Sequence, residues 1–124
     1  MVADTPAADR DIPACLSAHP RDIRLCAIPR SSAFSGAMVA RERAAARQTG
    51  AGLVDLALAV CPSDPCPAVV RGMIVLRDSH HLTATFSRSL APVLDGALAE
   101  ILAPSPAPTP APSQAPAGTP GGPR

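Results

Sequence analysis

The chain contains no Lys, no Trp and no Tyr, and its only aromatic residues are Phe34 and Phe86. Few large side chains are therefore on hand to build a core. The missing aromatics also remove the stacking platforms on which single-stranded nucleic acid binds. A formal net charge of +1 excludes the basic field of a typical nucleic-acid binder, so no nucleic-acid partner is expected. No apolar run approaches the roughly 18 residues of a membrane span. The opening Met1-Val2-Ala3-Asp4-Thr5-Pro6 has no basic segment followed by an apolar one, and so does not read as a secretory leader. The hydrophobic fraction of 47% is high, but much of it is alanine.

What remains sorts into two parts. Residues 103–124 carry eight prolines, at 104, 106, 108, 110, 112, 116, 120 and 123. Proline cannot continue a helix or donate to a sheet ladder, so this stretch is expected to be a disordered Pro/Ala-rich tail. Residues 1–102 are left for one small domain.

Within that domain, Ser32 is positioned to cap a helix over Ala33–Gln48 that Gly50 and Gly52 end. Leu53–Leu56 reads as a short strand. Val69-Val70 is a small extended segment, and Gly72–Leu76 an apolar, buried strand. Thr83 caps a final helix whose apolar stripe is Phe86, Leu90, Val93, Leu94, Ala97, Leu98, Ile101 and Leu102, with Pro92 kinking it or restarting it. Strands alternating with helices predict an α/β fold with a short parallel sheet.

Four cysteines allow three disulfide connectivities. The economical one is local, Cys15 with Cys26 and Cys61 with Cys66, because each pair brackets one loop. A zinc site needs four converging thiolates, and the spacing lacks the tight knuckles that such sites favour. Disulfides imply an oxidising compartment.

The candidate chemistry lies in Asp78-Ser79-His80-His81-Leu82-Thr83, where the apolar strand ends. A carboxylate three residues before an imidazole can accept its Nδ1 proton. This fixes the tautomer and leaves Nε2 as a general base toward a serine hydroxyl. Chance spacing and helix capping are the commoner reasons for an Asp and a His three apart. Adjacent histidines such as His80 and His81 are more often accidental than metal ligands. Asp55, Arg71, Arg77 and His19 carry no stronger signal.

The ordered string Val54-Asp55-Leu56, Cys61 to Cys66-Pro67, and Gly72 through Arg77-Asp78-Ser79-His80-His81-Leu82-Thr83 to Phe86 resembles the end of an SGNH-type hydrolase domain. It is closest to the SGNH module fused behind the membrane acyltransferase-3 family, the O-acetylases of cell-surface polysaccharides. Asp4-Thr5-Pro6, Asp11 to Leu16 and Cys26 to Arg30 resemble the same module. The resemblance spans residues 2–102, and its most specific part is the Asp-x-x-His block, matched by Asp78 and His81.

That resemblance implies a three-layer α/β/α fold and acyl transfer to, or hydrolysis from, carbohydrate hydroxyls. His81 would be the base and Asp78 its orienting carboxylate, with no cofactor and no metal. The family carries its nucleophilic Ser in a Gly-Asp-Ser block on the first strand, and no Gly-Asp-Ser occurs here. Ser35 lacks the strand-to-turn context, and Ser79 and Ser87 lie too close to the Asp-His block. Leu58-Ala59-Val60 stands where the family often has a Trp-bearing stretch.

The expected reading is thus the C-terminal portion of the module, truncated on its N-terminal side and inert alone. Its partner would be the missing half or a membrane acyltransferase domain. By resemblance the place is the extracytoplasmic face of the membrane, or the cytoplasm if the chain is expressed alone. The alternative is a non-catalytic exported module stapled by two disulfides.

Overall fold

The computed structural model describes residues 1–103. The expected Pro/Ala-rich tail lies outside the described residues. The elements in order are α1 (Ile12–Ala18), a 3-10 turn (Ile23–Cys26), α2 (Arg30–Ala33), α3 (Gly36–Thr49), α4 (Ala57–Val60), β1 (Val69–Val70), β2 (Met73–Ile74), α5 (Ala84–Ser89) and α6 (Ala91–Leu102).

The N-terminal half is held by caps and one cross-link. Asp11 caps α1, its Oδ1 accepting the Ala14 N–H at 2.8 Å, and Pro13 sits in the first turn where its missing N–H costs nothing. Ile12 is fully buried. Cys15 of α1 is disulfide-bonded to Cys26 of the 3-10 turn. The second disulfide joins Cys61 and Cys66. No described cysteine is free, so the local pairing holds and a four-thiolate zinc site is overturned.

The single helix expected from Ser32 is two. Helix α2 starts after Pro29, and its first N–H, on Arg30, donates to Asp64 Oδ1 at 2.9 Å. Its last carbonyl, on Ala33, accepts the Ala7 N–H at 2.9 Å. With that acceptor occupied, Phe34 turns extended (φ −123°, ψ 108°) and Ser35 becomes the residue that opens α3. These tertiary bonds outweigh the local helix propensity of the run. Gly50, at φ +67°, ends α3 as expected, in the left-handed conformation that glycine adopts without strain.

The sheet also departs from expectation. The only parallel pairing among the described residues is one bridge, Val2 with Val54, made by Ala3 N–H to Val54 O (2.8 Å) and Val54 N–H to Met1 O (2.9 Å). Instead of continuing as a strand to Leu56, the chain enters α4, whose Ala57 N–H is taken by Asp55 Oδ1 at 2.9 Å. The one two-stranded ladder among the described residues is antiparallel, pairing Val69 with Ile74 and Val70 with Met73. Its turn is Arg71-Gly72, both at positive φ (50° and 74°), the geometry of a tight two-residue hairpin. The sequence Arg-Gly gave no strong sign of this turn, because Arg is a poor left-handed residue. The fold is mixed α/β, with a small antiparallel sheet where a short parallel one was expected.

The final helix restarts at Pro92, which occupies the first turn of α6 after Leu90. Only Phe86 and Leu90 of the expected stripe are fully in the core. Val93, Leu98 and Ile101 are about two-fifths exposed and Leu102 is 78% exposed. The packing partners available to α6 are few, which is why its stripe stays half in water.

The core gathers around Phe86, which is fully buried, with Ile12, Leu76, Val75, Leu90 and the cystine sulfurs of Cys26, Cys61 and Cys66. Disulfides thus fill the volume that aromatics leave vacant. In the chain-entropy picture the two loops, separated by 11 and 5 residues, add about 2–3 kcal/mol each. Phe86→Ala should cost about 3–5 kcal/mol, a large share of the stability of a small domain. Urea unfolding followed by circular dichroism should show its midpoint collapse, whereas Phe34→Ala, at a half-buried site, should shift it far less.

Candidate active site

The site is a loop delivered by the core. Val75 and Leu76 are buried, and Val75 is clamped between Ala68 O, which accepts its N–H at 3.0 Å, and Thr83 N–H, which donates to its carbonyl at 2.9 Å. Leu76 bridges Leu82 in antiparallel fashion, and the Arg77 N–H donates to His81 O at 2.8 Å. The five residues from Arg77 to His81 are therefore closed into a tight loop. Thr83 secures its far end. The Thr83 hydroxyl donates to Ile74 O at 2.6 Å and accepts the Phe86 N–H at 3.2 Å, capping α5 as expected.

Inside this loop the Asp78 carboxylate makes three short bonds. Oδ1 accepts the backbone N–H groups of His80 and His81, both at 2.8 Å, and Oδ2 meets His81 Nδ1 at 2.8 Å. The structure brings together the two residues singled out from the sequence. Two backbone donors aimed at one oxygen, and the His81 ring at the other, hold the Asp78 carboxyl well below the usual carboxylate range. With Nδ1–H donating to an ionised Asp78, the neutral His81 ring presents an unprotonated Nε2. The His81 side chain is 53% exposed and that of Asp78 34%.

The remaining neighbours are weaker. Arg77 Nε lies 3.6 Å from Asp78 Oδ2 on an exposed side chain. The His80 ring packs against that of His81, centroids 4.2 Å apart, and its Nδ1 pairs with the Ser79 hydroxyl at 2.8 Å. Ser79 is thus bonded to the wrong histidine to serve as a nucleophile activated by His81. Asp55 pairs with Arg43 at 3.5 Å, His19 caps α1 through its backbone, and Arg71 forms the hairpin turn.

Sequence reasoning missed the segment that braces the loop from outside. Ala8 N–H donates to Ser79 O at 2.6 Å, Ile12 N–H to Asp78 O at 3.5 Å, and the Thr5 hydroxyl to His80 O at 3.5 Å. Two of these three bonds are backbone to backbone and leave no side-chain signature. Thr5 also lines a cavity of about 310 Å³, together with Arg30, Phe34 and Met38; no residue of the 77–81 loop lines it.

Because the folded chain favours ionised Asp78, its stabilising effect is complete above the unfolded-state pKa of about 3.9. It fades as pH falls below that value toward the lower folded one. Asp78→Asn should therefore destabilise the chain at pH 7. The gap between the urea midpoints of wild type and variant should narrow steadily between about pH 4 and pH 2. An equal gap at both pH values would contradict the ionised carboxylate's part in holding the loop.

Residues 1–96 match the family model described as SGNH domain (fused to AT3 domains). Searches of curated proteins and of solved structures each returned no match. Among the described residues, no helix is long and apolar enough to cross a membrane. The matched span covers α1 through the start of α6 and includes the Asp78–His81 loop, both disulfides and the Thr83 cap. This chain belongs to the family of SGNH domains that are fused to AT3 domains.

Proposed function

We propose that the chain is the C-terminal portion of an acyl-transfer domain, contributing His81 as general base and Asp78 as its orienting carboxylate. The observation that carries this reading is the 2.8 Å bond between Asp78 Oδ2 and His81 Nδ1, on a carboxylate already charged by two backbone donors. In the reaction, Nε2 of His81 takes the proton of a serine hydroxyl as that oxygen attacks an acyl carbonyl. The leaving oxygen takes the proton back. In the second half the acceptor hydroxyl gives its proton to the same Nε2 and attacks the acyl carbon, and the departing serine oxygen takes that proton to restore the hydroxyl and the neutral base. Asp78, a weak proton acceptor here, stays ionised throughout and stabilises the imidazolium.

The serine comes from polypeptide outside these 124 residues, since no Gly-Asp-Ser block occurs among them. That polypeptide also completes the three-layer α/β/α fold and its parallel sheet, extending the Val2–Val54 pairing. The family's fusion to AT3 domains supports a membrane acyltransferase as the wider partner; the proposal adds carbohydrate hydroxyls as acceptors and a location on the extracytoplasmic face. Two disulfides agree with an oxidising compartment.

Without a nucleophile the chain alone is inert, because triad members act as a unit. Purified chain should hydrolyse p-nitrophenyl acetate no faster than buffer. Joined to a Gly-Asp-Ser half-domain of the same family, it should turn over, and His81→Ala should remove about 10³-fold or more of that activity. Turnover by the lone chain that His81→Ala abolishes would contradict the outside serine. Activity in the joined protein that survives His81→Ala would contradict the base. The same disulfide staples would suit a non-catalytic exported module, and the joined protein's failure to turn over would favour it.

A further inference from the structure

Within the loop of residues 77–81, two imidazoles and one carboxylate crowd a single solvent-facing corner. One ligand atom from each of Asp78, His80 and His81 lies within 4.8 Å of the others. The Asp78 and His81 pair is already at 2.8 Å, and His80 Nδ1 stands 3.9 Å from Asp78 Oδ1. We propose that Asp78, His80 and His81 form a binding site for a divalent transition-metal ion of the zinc class, which shuts off the Asp78–His81 pair when filled.

The donor set suits such an ion. Imidazole and carboxylate bind zinc at about 2.0–2.2 Å, and three protein ligands with one water is the usual open zinc arrangement. Tetrahedral donors at those distances stand about 3.4 Å apart, so the Asp78–His81 pair, at 2.8 Å, opens to admit the ion while His80 draws in. That adjustment is cheap. The His80 side chain is 61% exposed, and what it gives up is the Ser79 hydroxyl.

The carboxylate keeps its backbone bonds as the pair opens. Asp78 Oδ1 keeps the His80 and His81 backbone N–H groups, which aim Oδ2 outward as a prepared ligand. Arg77 is the cation nearest to Asp78, and its side chain, 65% exposed, can swing away from Oδ2. All four cysteines are in disulfides, so no thiolate competes, and His19 is the one other imidazole in the sequence.

The ion replaces the proton between Asp78 Oδ2 and His81 Nδ1. His81 changes tautomer: the Nδ1 proton leaves to solvent, the metal–nitrogen bond forms on the freed lone pair, and Nε2 takes up a proton, so the ring stays neutral and no electron changes hands. The ion's effect on catalysis rests on the proposed function: a metallated His81 can neither take nor return a proton. The site itself does not depend on that reading. His80 is the residue that decides it, since Asp78 and His81 alone offer only two donors.

The test is isothermal titration of the full 124-residue chain with zinc chloride in a buffer free of phosphate, with circular dichroism checking the fold of every variant. Wild type should bind one ion. His80→Ala and His80→Gln should each weaken binding by about 10–100-fold, and His19→Ala should change nothing. No heat of binding, or unchanged affinity in both His80 variants, would overturn the site. The joined domain of the previous section separates the two proposals. Zinc should inhibit its ester hydrolysis and a chelator restore it. A site that fills while turnover continues undiminished contradicts His81 as the base and leaves the metal site standing.

Discussion

Everything chemical in this molecule depends on one carboxylate. Asp78 receives two backbone N–H groups on one oxygen and the His81 ring on the other. The first two bonds fold the loop, and the third orients the imidazole, so folding and chemistry share a single charged group. A neutral isostere keeps the shape of Asp but loses the strength of charge-assisted bonds to both jobs. The same carboxylate, once fixed by the backbone, becomes a prepared metal ligand as soon as a second imidazole swings beside it.

The loop can be that well defined because the core beneath it is anchored from several directions. Val75 and Leu76 enter the core two residues ahead of Asp78, and Phe86 is buried three residues after Thr83. The N-terminal segment then braces the loop's back through Ala8, Ile12 and Thr5. These contacts come from stretches remote in sequence, and the Cys15–Cys26 link holds α1, which carries Ile12, against the 3-10 turn. The disulfides therefore support the site indirectly, by fixing the segment that fixes the loop.

Local signals in the sequence were legible where one residue dictates one backbone state. Thr83 as a cap, Gly50 as a helix end, Pro92 as a restart and the pairing of near cysteines all correspond to the structure. The Asp78–His81 contact was legible too, because three residues on one turn leave the side chains little else to do. Features set by distant partners were not. The break at Phe34 depends on Ala7 and Asp64 bonding to α2, and the antiparallel hairpin depends on Arg71 taking a left-handed conformation. The apolar stripe of α6 was read as core, yet a stripe says only which face is apolar, not whether anything covers it. His80 looked accidental as a letter beside His81, and only the folded loop sets both rings on one carboxylate.

The most direct test is the tautomer of His81, read by nitrogen-15 NMR of the imidazole in wild type and in Asp78→Asn. The neutral His81 ring should carry its proton on Nδ1, with Nε2 bare, and that preference should weaken when the carboxylate is gone. A proton resident on Nε2 in the wild type, or a tautomer indifferent to Asp78, would contradict the account.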